Sequence, residues 1–219
     1  MKIGVLGTGM VGETIGLALV QKGHTVMIGS RSARGEKAKA FVEKGGSNAL
    51  AGDFVQAAAF GEWLFICLNG EHAVEVLKQI PPDAVANKIW VDVTNPLDFS
   101  VGLPPQILEA YRTVSLSEHI QQALPKALVV KTLNTVNYKL MVNAREVADG
   151  DHHLFICGND MVAKEKVKHF LTDNFHWLPQ NMVDLGDLKG ARAMEAIVPF
   201  WVLVYRTAGT PLFNFKIMQ

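Results

Sequence analysis

A glycine-rich hexapeptide near the amino end has the spacing of a phosphate-binding loop. It reads Gly7-Thr8-Gly9-Met10-Val11-Gly12, the pattern G-x-G-x-x-G, and it stands between an apolar run and an amphipathic one. In such a loop the first glycine permits a tight turn, the second lets the backbone approach a pyrophosphate, and the third lets the following helix pack closely on the strand. Amides at the helix N-terminus attract the phosphates. A glycine-rich turn without function is the alternative, but the context favours a dinucleotide site.

The segment after the second apolar run carries hydroxyl and guanidinium groups. It reads Gly29-Ser30-Arg31-Ser32-Ala33-Arg34. NAD-binding units usually have an acidic residue about 20 positions beyond the glycine motif, where it accepts hydrogen bonds from the ribose 2′-hydroxyl. This chain has no acid there, and arginine gives bidentate, charge-assisted hydrogen bonds to phosphate. The sequence therefore predicts NADP(H), with Ser30, Arg31, Ser32 and Arg34 around the 2′-phosphate. A solvated basic turn that caps the next helix is the alternative.

Three further turns follow apolar runs and carry short polar side chains. They are Cys67-Leu68-Asn69-Gly70, Thr94-Asn95-Pro96 and Thr132-Leu133-Asn134-Thr135. Ligands of an open parallel sheet bind outside the carboxyl ends of its strands, although asparagine, proline and glycine are also ordinary turn formers. We predict cofactor contacts at Cys67, Leu68, Asn69, Asn95, Pro96 and Asn134. We also expect His72 in the first turn of a helix beside the nicotinamide half.

The catalytic residues stay unassigned, because hydride transfer to a flavin-like ring needs position and electrostatics rather than an acid or base. Reduction of a ketone or imine needs a proton donor. Lys131, His72 and Tyr138 are candidates for that role without a supporting motif. We expect no metal site, because His152 and His153 are neighbours on a strand and point to opposite faces.

Apolar runs alternate with amphipathic stretches, which predicts an α/β fold with a Rossmann-type parallel sheet. The expected strands are 2–6, 25–28, 48–50, 63–68, 88–93, 127–132 and 153–157, and the expected helices are 10–21, 33–44, 71–79 and 161–172. A last helical pattern, 187–207, contains Pro199 and is expected to bend there. We therefore divide the chain into an NADP(H)-binding domain, 1–180, and a small C-terminal helical segment, 181–219.

Length and composition fit one nucleotide-binding core with a modest addition, since the chain has 219 residues and 49% hydrophobic content. Lys and Arg together number 21, as do Asp and Glu, so charge indicates neither nucleic acid nor a membrane surface as partner. The apolar stretch 196–205 is about half of what a bilayer requires. With no signal-peptide pattern, and with Cys67 and Cys157 read as buried thiols, we expect a cytoplasmic protein and a small-molecule partner.

Several runs resemble known families. The glycine loop, Gly29-Ser30-Arg31, and Val130-Lys131-Thr132-Leu133-Asn134-Thr135 resemble the NADPH-dependent deazaflavin-coenzyme reductases. The runs 131–135 and Phe155-Ile156-Cys157-Gly158-Asn159-Asp160 are similar to the NADPH-oxidising domain of the six-transmembrane metalloreductases. The resemblance implies that the C-terminal part helps form an acceptor pocket and a homodimer contact. It also implies a flavin or a deazaflavin as the second substrate.

Three functions remain open at this point. The first is an NADPH-dependent oxidoreductase that transfers a hydride between NADP(H) and a flavin-like or deazaflavin-like acceptor. The second is an NADP-dependent carbonyl or imine reductase, which differs in needing a titrating proton donor. The third is a non-catalytic NADPH sensor that signals through its apolar C-terminal face.

Overall fold

Eight strands form one sheet in the computed structural model, which describes residues 1–218. In chain order the strands are β1 (Lys2–Leu6), β2 (Thr25–Ser30), β3 (Ala49–Asp53), β4 (Trp63–Ile66), β5 (Ile89–Asp92), β6 (Leu97–Asp98), β7 (Gln106–Ile107), β8 (Leu128–Thr132), β9 (Leu154–Gly158) and β10 (Met182–Asp184). The sheet order is β3-β2-β1-β4-β5-β8-β9-β10, and β6 and β7 form a separate antiparallel hairpin. The predicted α/β, Rossmann-type fold is confirmed.

Strand direction divides the sheet into two parts. The first five strands and β8 are parallel, whereas β9 pairs antiparallel with β8, and β10 runs parallel to β9. β9 and β10 therefore run in the opposite direction to the other strands, and the end of β10 at Asp184 is level with Thr132 of β8. The sequence predicted a strand at 153–157 but not its reversed direction, and it did not predict β10.

Helices cover both faces of this sheet. They are α1 (Met10–Gln21), α2 (Glu36–Gly45), α3 (Phe54–Phe60), α4 (Ala73–Leu77), α5 (Pro82–Val85), α6 (Leu116–Ala123), α7 (Tyr138–Val142), α8 (Met161–Phe175), α9 (Ala191–Ala196) and α10 (Val198–Ala208). One core lies under α1, α2, α7 and α8, and the other under α3 to α6 and α9. Side chains alternate between the cores along each strand, as Trp90 and Val91 of β5 do. Burial on both faces explains the continuous apolar runs of the central strands.

The C-terminal segment joins the same structure. β10 extends the sheet, and α9 buries Ala191 and Met194 in one of the two cores. The helix is interrupted at Ile197, two residues before Pro199, which separates α9 from α10. The bend expected there stays a prediction. The chain then returns, and the backbone amide of His153 donates to the carbonyl of Phe215 at 2.9 Å. The proposed boundary at residue 180 stays a prediction.

Residues 1–218 contain no helix with the length and apolar character needed to cross a bilayer. The cytoplasmic location expected from the sequence stays a prediction.

Candidate functional site

Two glycines of the hexapeptide occupy positions where a side chain would collide with backbone. Gly7 has a φ of +123°, in the region that favours glycine, and an added Cβ would lie 2.3 Å from the carbonyl oxygen of Cys67. At Gly12 an added Cβ would lie 2.0 Å from the carbonyl oxygen of Gly7. Only glycine permits these close approaches of the loop to β4 and of α1 to the loop. Both glycines therefore fix the shape of the loop at the carboxyl edge of the sheet.

Gly9 differs from its two neighbours. It has an extended φ of −75°, and an added Cβ would meet nothing within 4 Å. It is the N-cap residue of α1, and no side chain caps the helix there. The first-turn amides of α1 therefore face open space beside Gly9, where the positive end of a twelve-residue helix favours an anion.

The turn after β2 presents its basic side chains to the outside. Ser30 donates its hydroxyl to the carbonyl of Ser32 at 2.7 Å and accepts the Ser32 amide at 3.3 Å. This tight turn leaves Arg31 and Arg34 exposed. Neither guanidinium forms an ion pair with a carboxylate of residues 1–218. Two cations without a carboxylate partner among residues 1–218 thus stand on the turn after β2.

An open cleft of about 570 Å³ connects this turn with the β4–α4 loop. Its lining consists of Arg31, Phe54, Leu68, Asn69, His72, Glu75, Val76 and Gln79. The β4–α4 loop is closed by the Asn69 carboxamide oxygen, which accepts the Glu71 amide at 2.8 Å. The mixture of apolar walls and polar rim residues suits an aromatic base with a charged substituent.

His72 stands at the start of a helix, as the N-cap residue of α4. Its amide donates to the carbonyl of Asn69 at 3.1 Å, and its side chain lines the same cleft as Arg31. Its expected place beside the nicotinamide half stays a prediction.

The other two predicted turns meet at the ends of β5 and β8. The Asn95 side-chain amide donates to the carbonyl of Asn134, and the Asn134 amide donates to the side-chain oxygen of Asn95, both at 2.9 Å. The Asn134 amide also donates to the carbonyl of Met194 in α9 at 2.9 Å. Gly70 backs onto this pair, because an added Cβ would lie 2.2 Å from the Asn95 carbonyl. Pro96 follows directly and accepts the Leu108 amide at 2.9 Å, which anchors the β6–β7 hairpin.

A buried cluster of charges lies beneath this pair, and sequence reasoning missed it. The Lys131 ammonium lies 3.1 Å from both Asp92 Oδ2 and Glu195 Oε1, and the three side chains are at most 2% exposed. Burial alone lowers the pKa of Lys131, but the two carboxylates outweigh it and raise that pKa above its ordinary value. The charged ammonium is therefore favoured, and it is shielded from solvent between its two carboxylate partners. The one signal in the sequence was a lysine inside an otherwise apolar strand.

Both cysteines hold protonated thiols. Burial raises the pKa of Cys67, and the nearby Asp92 raises it further. Burial is also the main cause that raises the pKa of Cys157 to about 12. The Cys157 side chain is buried as expected, whereas Cys67 is half-buried. At neutral pH neither offers a thiolate as nucleophile or metal ligand.

His152 and His153 hold the C-terminal tail. His152 Nε2 lies 2.8 Å from the carbonyl of Ala144, and the Asn214 side-chain amide lies 2.7 Å from His152 Nδ1. The Ile217 backbone amide donates to His153 Nδ1 at 3.1 Å. Across residues 1–218, no three His, Cys, Asp or Glu residues are grouped so that they could hold a metal ion.

Comparison with known proteins agrees with this layout. A sequence profile of the family described as "NADP oxidoreductase coenzyme F420-dependent" matches residues 2–96. A crystal structure from Arthrobacter sp. FB24, whose protein carries the provisional name F420-dependent NADP reductase, is 40% identical, with a TM-score of 0.91 and full coverage of both chains. The metalloreductase STEAP3 of Rattus norvegicus is 28% identical over 91% of this chain. The chain spans 38% of the length of that relative.

A more distant likeness concerns the fold alone. A reductive aminase from Aspergillus terreus, solved with NADPH and ethyl-5-oxohexanoate, is 21% identical, with a TM-score of 0.63 over 95% of this chain and 63% of that one.

The glycine loop, the doubly covered sheet and the polar turns at its carboxyl edge define a Rossmann-type dinucleotide-binding protein. Within that class, the full-length match to the Arthrobacter protein and the profile match over residues 2–96 identify the family. The chain belongs to the family of F420-dependent NADP oxidoreductases. The resemblance noted from its sequence is thereby confirmed, and so are the expected enzyme class, an NADP-dependent oxidoreductase, and NADP(H) as its cofactor.

Proposed function

We propose that the chain transfers a hydride between NADP(H) and a flavin-like or deazaflavin-like acceptor at the carboxyl edge of its sheet. One observation carries this proposal. Arg31, exposed and without a carboxylate partner in residues 1–218, lines a cleft of about 570 Å³ beside the glycine loop. A 2′-phosphate supplies the missing negative charge, and the helix amides beside Gly9 supply the donors for the pyrophosphate.

In this proposal the cofactor extends along the edge of the sheet. The pyrophosphate contacts the loop of Gly7, Thr8, Gly9, Met10, Val11 and Gly12. The 2′-phosphate contacts Ser30, Arg31, Ser32 and Arg34. The adenosine occupies the cleft with Leu68, Asn69 and His72, and the nicotinamide lies toward Cys67, Asn95, Pro96 and Asn134. The distance along the edge from β2 to β8 crosses four intervening strand spacings of about 4.8 Å, which matches an extended dinucleotide.

The choice of acceptor rests on what hydride transfer to each class of acceptor needs. Lys131 is fully buried and bound by acids, and both thiols keep their protons. A flavin-like ring accepts a hydride without a protein acid. The family description names coenzyme F420, and STEAP3 is named a metalloreductase. These names support a redox carrier as the acceptor of this chain.

The experiment is an acceptor screen that follows loss of NADPH absorbance, with NADH in parallel. The panel contains a deazaflavin, FMN, FAD, quinones, iminium compounds and ketones. Turnover with a deazaflavin or a flavin, faster with NADPH than with NADH, supports the proposal. Turnover only with ketones or iminium compounds, with a bell-shaped pH profile, favours the carbonyl or imine reductase. Binding of NADPH without oxidation by any acceptor favours the sensor.

We also propose that the chain forms a homodimer through an apolar face. The face consists of Phe99, Val101, Leu103, Phe200 and Leu203, each 46 to 58% exposed. The Arg206 guanidinium donates to the carbonyl of Leu103 at 3.3 Å, so the loop between β6 and β7 lies next to α10. Contiguous apolar patches beyond a few hundred Å² are rare on monomers, and a self-complementary patch on a second copy covers them most simply.

A further inference from the structure

The ammonium of Lys131 connects three segments that are distant in sequence. It donates to the carbonyl of Thr94 at 2.6 Å and to Asp92 at 3.1 Å, both from the β5 strand and its loop. It also lies 3.1 Å from Glu195 of α9. Lys131 itself belongs to β8. One cation thus joins β5, β8 and α9 at the carboxyl edge of the sheet.

The two carboxylates are saturated by donors. Asp92 Oδ1 accepts the amide and the hydroxyl of Thr94, at 2.9 and 2.7 Å, and Asp92 Oδ2 accepts the Ser117 hydroxyl at 2.5 Å. Glu195 accepts the backbone amides of Leu116 and Ser117, at 3.0 and 3.3 Å, at the N-terminus of α6. We call Lys131, Asp92 and Glu195 together the clasp. One ammonium is thus shared by two carboxylates, and hydroxyl and backbone donors complete their hydrogen bonds.

The residues that the clasp joins stand immediately beside the asparagine pair. Thr94 precedes Asn95, Glu195 follows Met194, and Lys131 lies three residues before Asn134. Asn95, Met194 and Asn134 are joined by the three hydrogen bonds of 2.9 Å described above. Leu133, between the clasp and Asn134, has a φ of +63°, a region that leucine rarely adopts. Surrounding contacts have to maintain that bend.

The asparagine pair leaves one group unsatisfied. Both bonds from the Asn134 amide nitrogen go to protein acceptors, whereas Asn134 Oδ1 is buried and has no hydrogen-bond partner among the described residues. A buried acceptor without a donor costs about 1 to 3 kcal/mol. The carboxamide N–H of a nicotinamide is a donor of the required kind. Asn134 Oδ1 is positioned by the two hydrogen bonds that the nitrogen of the same carboxamide donates to Asn95 and Met194.

We propose that Lys131, with Asp92 and Glu195, positions Asn134 and thereby the nicotinamide half of the cofactor. This inference rests on the NADP(H) site proposed above. Buried ion clusters are weak contributors to stability compared with apolar packing of the same volume, but they can specify one arrangement. Here the cluster fixes the relative positions of Asn95, Asn134 and Met194. Apolar side chains could not fix them in the same way, because apolar contacts are not directional. Lys131 is therefore a positioning residue and does not touch the reacting atoms.

The test separates the two halves of the cofactor by using two probes, NADPH and adenosine 2′,5′-bisphosphate, which lacks the nicotinamide. The variant is Glu195→Gln, because Lys131 and Asp92 then remain as a balanced pair. We expect the Kd for NADPH to rise at least fivefold and the Kd for the bisphosphate to stay within twofold of wild type. The matched control is Glu118→Gln, since Glu118 accepts the Ser115 amide at the same helix N-terminus without touching the clasp. It should leave both Kd values unchanged.

Equal changes in the two Kd values of Glu195→Gln, or no change in either, would overturn the positioning role. If that variant does not fold, Thr94→Val removes only the hydroxyl bond to Asp92, and it should raise the Kd for NADPH alone, by at least twofold. An unselective effect of Thr94→Val would also overturn the role. If the wild-type chain binds neither probe, the proposed NADP(H) site is refuted. That outcome is distinguishable from failure of the positioning role, in which wild type binds both probes and the variants affect both equally or neither.

Discussion

Asn95 and Asn134 exchange side-chain hydrogen bonds across the carboxyl ends of β5 and β8, each bond 2.9 Å long. Each carboxamide therefore orients the other, and the carbonyl of Met194 ties both to α9. Two turns that are distant in sequence thus form one unit at the carboxyl edge of the sheet, four strand positions from the turn of Arg31. The proposed site has two separable ends, and variants at each end should have different effects.

At the adenosine end, we expect Arg31→Glu to weaken NADPH binding by about 10- to 100-fold, since a hydrogen bond to a charged group contributes about 1.5 to 3 kcal/mol. Binding of NADH should change by less than about threefold, because NADH lacks the 2′-phosphate. Titration calorimetry with both dinucleotides measures the difference. Arg145→Glu, an exposed charge reversal outside the cleft lining, is the matched control. Equal losses for the two dinucleotides in Arg31→Glu would reject the assignment.

In the glycine loop, the structure distinguishes two kinds of glycine. Gly9→Val should abolish dinucleotide binding and leave the melting temperature nearly unchanged, because the new side chain enters open space where the pyrophosphate is proposed to lie. Gly12→Ala should lower the melting temperature, because its Cβ would lie 2.0 Å from the Gly7 carbonyl. Thermal unfolding with and without NADPH measures both. Stabilisation of Gly9→Val by NADPH to the same extent as wild type contradicts the loop assignment.

The clasp predicts a stability change as well. Lys131→Met leaves Asp92 and Glu195 buried without a cation, and breaking a buried pair in this way costs about 3 to 5 kcal/mol. Urea unfolding near neutral pH measures this loss. Lys189→Met, at an exposed lysine, should change the free energy of unfolding by less than about 0.5 kcal/mol. A similarly small change for Lys131→Met would show that the clasp carries little free energy.

The same pair of proteins gives a pH dependence with a definite sign. The folded-state pKa of Lys131 is raised above the ordinary value of 10.5. Its contribution to stability is therefore complete below pH 10.5 and is lost as the pH rises through the folded-state pKa. The difference in unfolding free energy between wild type and Lys131→Met should shrink above about pH 10, where the carboxylates of both proteins are ionised. A difference that grows with pH in that range would have the wrong sign.

For the apolar face, we expect wild type to have the mass of a dimer in light scattering after gel filtration. Leu203→Glu, which places a charge on an exposed position of α10, should give monomers. Met161→Glu is the matched control, because Met161 is 75% exposed on α8, outside that face. A monomeric wild type, or a Leu203→Glu variant that stays dimeric, would exclude this face as the interface.

Local patterns in the sequence predicted the first part of the fold closely. β1 and α1 have the expected bounds, because an apolar strand, a glycine loop and an amphipathic helix follow each other without interruption. The direction of β9 was not predictable in this way, since the same alternation of side chains suits a parallel or an antiparallel neighbour. β10 has three residues, too few for a periodicity to show.

The candidate site was predictable where its residues are consecutive and not where they meet through the fold. The glycine loop and the turn around Arg31 are continuous segments. Lys131 and Glu195 lie in separate elements, and only the packing of α9 on the sheet brings their charges together. From the sequence alone Lys131 is a candidate proton donor, whereas the structure shows it fully buried between two carboxylates.

The short span between β10 and Glu195 has a consequence for which insertions the chain tolerates. Asp184, at the end of β10, is level with Thr132 at the end of β8, and Glu195 follows Asp184 by only eleven residues. Each residue of a helix turns by about 100°. A single inserted or deleted residue in α9 would aim Glu195 away from Lys131, whereas the loop between β6 and β7 can change length without that penalty.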